Sequence, residues 1–194
     1  FEHVDPAAVG NTRHYLLSDQ SGGTTIVQKL APFVGRIDKK DPLVTKLLHD
    51  VKKLEHEGWQ FEAAEASFAL LANRELQRYV PPFTFKGFRV TEEKREDGTV
   101  FSEATIKVEA NGRLEHTAAE GNGPVSALDN AIRKALVRIF PQLAKVRLVD
   151  FKVRVLDGRV GTLAKVRVLI RSTDGTDYWG TVGVSANIIE AAWL

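Results

Sequence analysis

Phe88-Arg89-Val90 recurs later in the chain as Phe151-Lys152-Val153, and Asn111-Gly112 recurs as Asp174-Gly175. Both pairs are 63 residues apart, since 151 − 88 and 174 − 111 give the same number. Around each copy the pattern is that of three strands followed by one helix, a unit too small to close a core alone. The sequence therefore predicts two copies that share a core, with a cleft between them that suits a small molecule or a dimer contact.

Alternating apolar residues mark the strands of both copies. In the first copy, Ala104, Ile106 and Val108 share one strand face, and Asn111-Gly112 is a two-residue hairpin signal because both positions tolerate positive φ. Such strands need a cover on one face, and we expect the helix of each copy to provide it. The predicted fold is α+β: a duplicated βββα domain with pseudo-twofold symmetry.

The part of the chain before the repeats has a helical period. Asp41 can cap a helix whose first position is Pro42, and Gly58 ends this run. The prolines of 79–82 stiffen the chain and disfavour helix, so a domain boundary is predicted there. We expect a small helical connector over residues 1–78 and a two-unit domain over 79–194, with units at about 83–140 and 146–194. The chain opens on Phe1, and we expect it to be part of a longer polypeptide.

Composition excludes several classes of function. The chain has 194 residues, 43% hydrophobic content, a net charge of +2 and no cysteine, which fits a cytoplasmic protein without disulfides. No long apolar run predicts a membrane span, and the two charge signs alternate, so neither a membrane nor nucleic acid is an expected partner. The five histidines lack the spacing of paired metal ligands, so we predict no metal site here.

A glycine-containing loop, 121–126, joins a strand to a helix in the first copy, and 183–187 is the corresponding place in the second. The first turn of a helix presents unpaired N–H groups and partial positive charge, which suit a carboxylate. Two such helix starts facing one another could hold both charged ends of an amino acid. The simpler interpretation is that these residues only turn the chain and cap the helix.

Two stretches, 119–125 and 183–191, resemble the signature segments of the C-terminal regulatory region of the isopropylmalate synthase and citramalate synthase family. The segment 152–158 is more similar to the citramalate synthases, and the resemblance covers essentially the whole chain. It implies that the intact protein is an acyltransferase that condenses acetyl-CoA with a 2-keto acid, pyruvate in a citramalate synthase. That reaction would take place in a metal-dependent barrel outside this chain. This chain alone would be inactive, hold no cofactor, form a homodimer and bind isoleucine as a feedback inhibitor.

The resemblance also implies where the effector binds, namely between the two units. The matching positions are Gly121, Gly123, Val125, Ser126, Leu148, Phe151, Val155, Thr162, Ala164, Ser185 and Asn187. Leu148, Phe151 and Val155 can share one strand face only if that strand bulges, because spacings of three and four break the alternation.

This sequence departs from the family pattern near its N-terminus. Gln20 stands where many members carry a catalytic histidine, and Gly23 stands where an arginine is common, so we assign no catalytic residue. Two alternatives stay open: an isopropylmalate synthase region that binds leucine, and a dimerisation module without a ligand. Double-stranded RNA binding is disfavoured because the helix that starts at Pro124 carries no positive side chain in its first turn.

Overall fold

The computed structural model describes residues 22–156 and 164–194. Helices and two three-stranded antiparallel sheets confirm the predicted α+β class. In chain order the elements are α1 (Gly23–Val34), α2 (Pro42–His56), α3 (Glu65–Glu75), β1 (Thr84–Lys94), β2 (Val100–Ala110), β3 (Arg113–Gly121), α4 (Pro124–Leu136), a 3-10 helix (Pro141–Lys145), β4 (Arg147–Val155), β5 (Val166–Thr173), β6 (Tyr178–Ser185) and α5 (Ile188–Trp193).

The three N-terminal helices pack around one core. α2 begins as predicted, because the Asp41 carboxylate accepts a hydrogen bond from the N–H of Leu43 at 2.8 Å and Pro42 takes the first helical position. Phe61 and Ala64 are buried in the link between α2 and α3. The buried residues that these helices and their links contribute are Ile26, Leu30, Val44, Leu47, Val51, Phe61, Ala64, Phe68 and Ala72.

The first unit consists of the sheet β1-β2-β3 and the helix α4. Ala104, Ile106 and Val108 are fully buried and pack in one cluster with α4, as their alternation predicted. Asn111 and Gly112 close the hairpin with positive φ angles of 49° and 72°. We call this sheet the first sheet; the strands β4-β5-β6 form the second.

Both edge strands that open a unit contain a β-bulge. The register shifts between Phe85 and Gly87 in β1 and between Leu148 and Asp150 in β4. The bulge that Leu148, Phe151 and Val155 require in their strand is therefore present, and the repeat extends to this local detail.

The distance between equivalent residues is not constant, which corrects the fixed offset of 63. Phe88 pairs with Ile106 and Phe151 pairs with Ile170, so the first strands are 63 residues apart and the second strands 64. The extra residue lies between equivalent pairs of the hairpins, since nine residues separate Glu92 from its partner Ser102 and ten separate Val155 from its partner Val166. Asn111 thus corresponds to Gly175, and both have positive φ.

β6 of the second sheet is covered on both faces, whereas a cover by the helices of the two units alone was expected. Val182 of β6 belongs to the core of α1–α3. A Cβ at Gly180 would overlap the carbonyl oxygen of Ala63, and on the opposite face of β6 a Cβ at Gly183 would overlap that of Ala191 in α5. Because Gly180 and Gly183 have no side chain, the connector and α5 approach the backbone of β6 directly.

Polar contacts hold the connector to the second sheet. The N–H of Gly180 donates to the Glu65 carboxylate and the N–H of Val182 donates to the Ser67 hydroxyl, each at 3.0 Å. The Arg167 guanidinium donates to the carbonyl of Gly58, and to Gln60 Oε1 at 2.8 Å. These two backbone N–H groups on the free edge of β6 thus find acceptors in α3.

Trp193 joins the second unit to the first. Its ring lies 4.8 Å from that of Phe85, 5.8 Å from that of Phe88 and 6.4 Å from that of Phe83, measured between centroids. Ile189 and Trp193 of α5 both pack against the core of the first unit. The two units therefore share a core, as the repeat predicted.

Candidate functional site

A cavity of about 270 Å³ lies between the two units. One wall is α4, the second is the second sheet, and the third is the end of α5. Its lining residues are Val125, Leu128, Asp129, Ile132 and Arg133 of α4, Leu148, Ile170 and Ser172 of β4 and β5, and Ala192 and Trp193 of α5. Most of these side chains are apolar, and the few polar groups come from α4 and β5.

The bulge in β4 turns Leu148 toward this cavity. Leu148 is opposite Ser172 and Phe151 is opposite Ile170, so Val149 is the extra residue and the two apolar side chains share a face. Val155 continues that face, because it pairs with Val166 after two further alternations. β4 therefore has the bulge that an apolar wall of Leu148, Phe151 and Val155 requires.

Asp129 and Arg133 are the charged side chains of the cavity. They form an i,i+4 pair at 2.7 Å, and the Arg133 guanidinium also donates to the carbonyls of Val146 at 2.7 Å and Leu143 at 3.2 Å. Arg133 is thereby fixed by three acceptors. The Asp129 carboxylate lines the cavity and retains acceptor capacity, because one donor occupies only part of it.

The start of α4 lies beside the same cavity through Val125. Within the described residues no side chain caps this helix, whose N-cap is Gly123. First-turn N–H groups have no partner inside a helix, so this end of α4 presents donors and partial positive charge.

The two glycines of the predicted loop have different structural roles. A Cβ at Gly121 would overlap the backbone N of Ala127, so close packing of β3 on the first turn of α4 requires glycine there. Gly123 is extended, with φ of 174°, and a Cβ there would meet nothing within 4 Å. Gly121 and Ser126 line a separate polar depression of about 410 Å³ together with Asn122, Glu120 and Asn130.

Ser185 and Asn187 begin α5 as predicted and form a self-contained cap. Asn187 Oδ1 accepts from the N–H groups of Ile189 and Glu190 at 2.8 and 3.2 Å. The Ser185 hydroxyl donates to the Glu190 carboxylate at 2.7 Å and accepts from the N–H of Asn187 at 3.1 Å. These side chains line neither the inter-unit cavity nor the loop depression.

The structure thus brings Val125 and Leu148 together in one cavity and places Gly121 and Ser126 in another. Phe151 and Val155 lie on the strand face that leads away from Leu148, and Ala164 is buried just before β5. Thr162 and Gln20 lie outside the described residues. The cavity joins the start of α4 to the end of α5, not to the start of α5.

Sequence reasoning missed Asp129, Arg133 and Trp193 as lining residues. The spacing of Asp129 and Arg133 was a usable signal, because residues four apart on a helix face each other. Trp193 gave no such signal, since an aromatic residue in an apolar helix is ordinarily a core residue.

Two further features of the described residues bear on function. None of the described helices combines the length and hydrophobicity that a membrane crossing requires. In the same residues, no three His, Cys, Asp or Glu side chains are grouped so that they could hold a metal ion.

Two βββα units that share a core and enclose a cavity form a duplicated α+β domain. The family model described as the LeuA allosteric (dimerisation) domain matches residues 62–194, and the chain belongs to this family. The matched region includes α3, which packs on β6; the boundary at residue 79 stays a prediction.

Three relatives named "(R)-citramalate synthase" are similar over the whole chain. They come from Geobacter sulfurreducens (51% identical), Aquifex aeolicus (49%) and Synechocystis (45%), each covering 100% of this chain. The chain spans 36–37% of their length. The resemblance found in the sequence, including its preference for citramalate synthases, is thereby confirmed.

Proposed function

We propose that this chain is the regulatory part of an acyltransferase that condenses acetyl-CoA with pyruvate, and that isoleucine binds in the inter-unit cavity as a feedback inhibitor. The names of the relatives support the reaction, and the allosteric description of the family supports the regulatory role. Catalysis and its divalent metal belong to a barrel outside this chain, and this chain alone is inactive.

The cavity is the observation that carries the proposal. At about 270 Å³ it lies just below the range of about 300–1,000 Å³ typical of sites for drug-sized ligands, which suits an amino acid. Leu128, Ile132, Leu148 and Ile170 supply an apolar wall for a branched side chain.

The polar groups suit a zwitterion. The Asp129 carboxylate is the acceptor for the ammonium group, and the uncapped first turn of α4 is the donor for the carboxylate. Arg133 holds the Asp129 carboxylate in place through the 2.7 Å ion pair. Because α4 has no side-chain cap whereas Asn187 caps α5, the ligand lies nearer to α4 than the symmetric arrangement of two helix starts would place it.

Homodimerisation is the second part of the proposal. The family is described as a dimerisation domain, and β4 is an edge strand with an exposed apolar face. Leu148, Val153 and Val155 on that face are 44%, 41% and 55% exposed. A second copy that covers this face would also close the side of the cavity formed by Leu148.

Isothermal titration with isoleucine tests the site. We expect saturable binding by this chain, and at 100 times the dissociation constant a stabilisation of about 2.7 kcal/mol. Asp129→Asn should weaken binding roughly tenfold or more, because a hydrogen bond to a charged group contributes about 1.5–3 kcal/mol. Glu103→Gln, on the exposed face of β2, is the matched control and should leave the affinity unchanged.

The result of that titration separates the alternatives. Tighter binding of leucine than of isoleucine would favour the isopropylmalate synthase assignment. No heat with either amino acid, together with a dimer by sedimentation, would contradict the effector site and leave a dimerisation module.

Shortening the apolar wall should change selectivity among the branched amino acids. Leu148→Val removes one methylene from the cavity, which is worth about 0.8 kcal/mol. We expect the affinity for isoleucine to fall about fourfold relative to that for leucine or valine. Competition titrations of the three amino acids measure this ratio; an equal change for all three would place Leu148 outside the contact with the side chain.

A further inference from the structure

A shallow depression of about 400 Å³ lies on the first sheet, on the face turned away from α4. Arg89, Lys107 and His116 line it from three adjacent strands, together with Thr105 and Gly87. Gly87 is at the β-bulge of β1 with φ of 152°, and a Cβ there would meet nothing within 4 Å. The absence of a side chain at this residue opens the depression.

The basic groups of this depression have no counter-charge in the structure. Lys107 is in register with Gly87 on one side and with His116 on the other. No acidic residue lines the depression, and within residues 22–156 and 164–194 none of the three basic side chains has a carboxylate at ion-pair distance. Arg89 and Lys107 are diagonal neighbours on this face, within reach of each other, so an anion between these two cations would stabilise the arrangement.

In the second unit, the residues at the equivalent positions include a carboxylate that offsets their positive charge. Gly87, Lys107 and His116 of the first sheet correspond to Asp150, Arg171 and Gly180 of the second. Asp150 forms an ion pair with Lys152 at 2.7 Å, and Lys152 is the equivalent of Arg89. The hydrogen bond from Lys152 lowers the pKa of the Asp150 carboxyl, with a smaller contribution from the Arg171 charge.

We propose that the depression binds the phosphate group of a small molecule in the place of the carboxylate that Asp150 supplies in the second unit. In the second unit the Asp150 carboxylate interacts with two cations, Lys152 and Arg171, which leaves a net charge of +1. Arg89 and Lys107 have no carboxylate between them, so they match a dianion, and His116 and Thr105 add hydrogen-bonding groups. A phosphate monoester carries about −1.5 to −2 at neutral pH, whereas a carboxylate carries −1.

Access to the two rows also differs. At Gly180 the connector packs directly on the second sheet through Ala63. His116, the equivalent position, is exposed, as are Arg89 and Lys107. The basic positions of the first sheet are therefore open on all three strands, whereas the connector covers the Gly180 end of the equivalent positions in the second. This inference does not depend on the identity of the effector or of the enzyme.

Backbone amide chemical shifts of the ¹⁵N-labelled chain test the proposal. The ligands are inorganic phosphate and glycerol phosphate, each titrated at a constant ionic strength set with chloride. We expect saturable shifts confined to the amides of Gly87, Thr105, Lys107 and His116. Binding of both ligands supports a site for a phosphate monoester, and binding of inorganic phosphate alone supports a site for the free ion.

A pair of lysine variants supplies the control. Lys107→Gln should weaken phosphate binding about tenfold, because it removes a charge-assisted contact. Lys94→Gln, which removes an equally exposed lysine at the end of β1, should leave it unchanged. Shifts spread over all basic residues, equal effects of the two variants, or shifts that depend only on protein concentration would overturn the proposal; the last would show a carboxylate of a second copy in the depression.

Discussion

Replacing Trp193 with alanine is expected to lower the free energy of unfolding by about 3–5 kcal/mol. The indole packs against Phe83, Phe85 and Phe88 at centroid distances of 4.8 to 6.4 Å, so its removal leaves a void where the two units meet. Because Trp193 also lines the inter-unit cavity, the same substitution should abolish the proposed binding of isoleucine.

Thermal and urea unfolding measure this loss, with a fall in the midpoint of about 2–4 °C per kcal/mol for a chain of this size. Tyr178→Ala is the matched control, since this aromatic side chain is 59% exposed. Within the described residues its ring stacks with no other ring and contacts one cation, Arg171. We expect it to cost about 0.5–1 kcal/mol. Equal effects of the two substitutions would show that Trp193 does not hold the units together.

Replacing Gly180 with serine should destabilise the chain at the upper end of the about 1–3 kcal/mol that overpacking costs. The added atoms would overlap the carbonyl oxygen of Ala63, which is backbone and cannot move aside by rotation of a side chain. Separation at this point would also break the hydrogen bonds from Gly180 to Glu65 and from Val182 to Ser67.

Gly123→Ser adds the same atoms in open space and is the control for Gly180→Ser. Serine is a favoured N-cap residue, so this substitution should be neutral or slightly stabilising. Chemical denaturation of the two variants gives the comparison, and hydrogen exchange at the N–H groups of Gly180 and Val182 reports the contact itself. Unchanged protection of these two amides in Gly180→Ser would contradict the close approach of connector and strand.

Local chemistry made much of the fold predictable from the sequence. The cap at Asp41, the hairpin at Asn111-Gly112 and the helix that starts at Pro124 depend on residues close together in the chain. The bulge in β4 was predicted because Leu148 and Phe151 could share a face in no other way. Local sequence determines these features, and the structure confirms them.

Features that depend on distant residues were not predictable in this way. Val182 alternates like any residue of a half-buried strand, and its period gives no indication that α1–α3, more than 100 residues earlier, cover it. The cavity was expected between two helix starts, but Val125 meets Ala192 and Trp193 at the end of α5. Which ends of two helices meet is decided by the packing of the units, and the sequence period of each helix is the same in either arrangement.

β6 carries glycine at the point where each face is in contact, Gly180 toward the connector and Gly183 toward α5. On both sides of β6, backbone therefore packs against backbone. There is no side chain in between whose rotation could absorb a displacement. A shift of α5 must carry the strand along, and the strand must push the connector, so β6 works as an incompressible spacer between them.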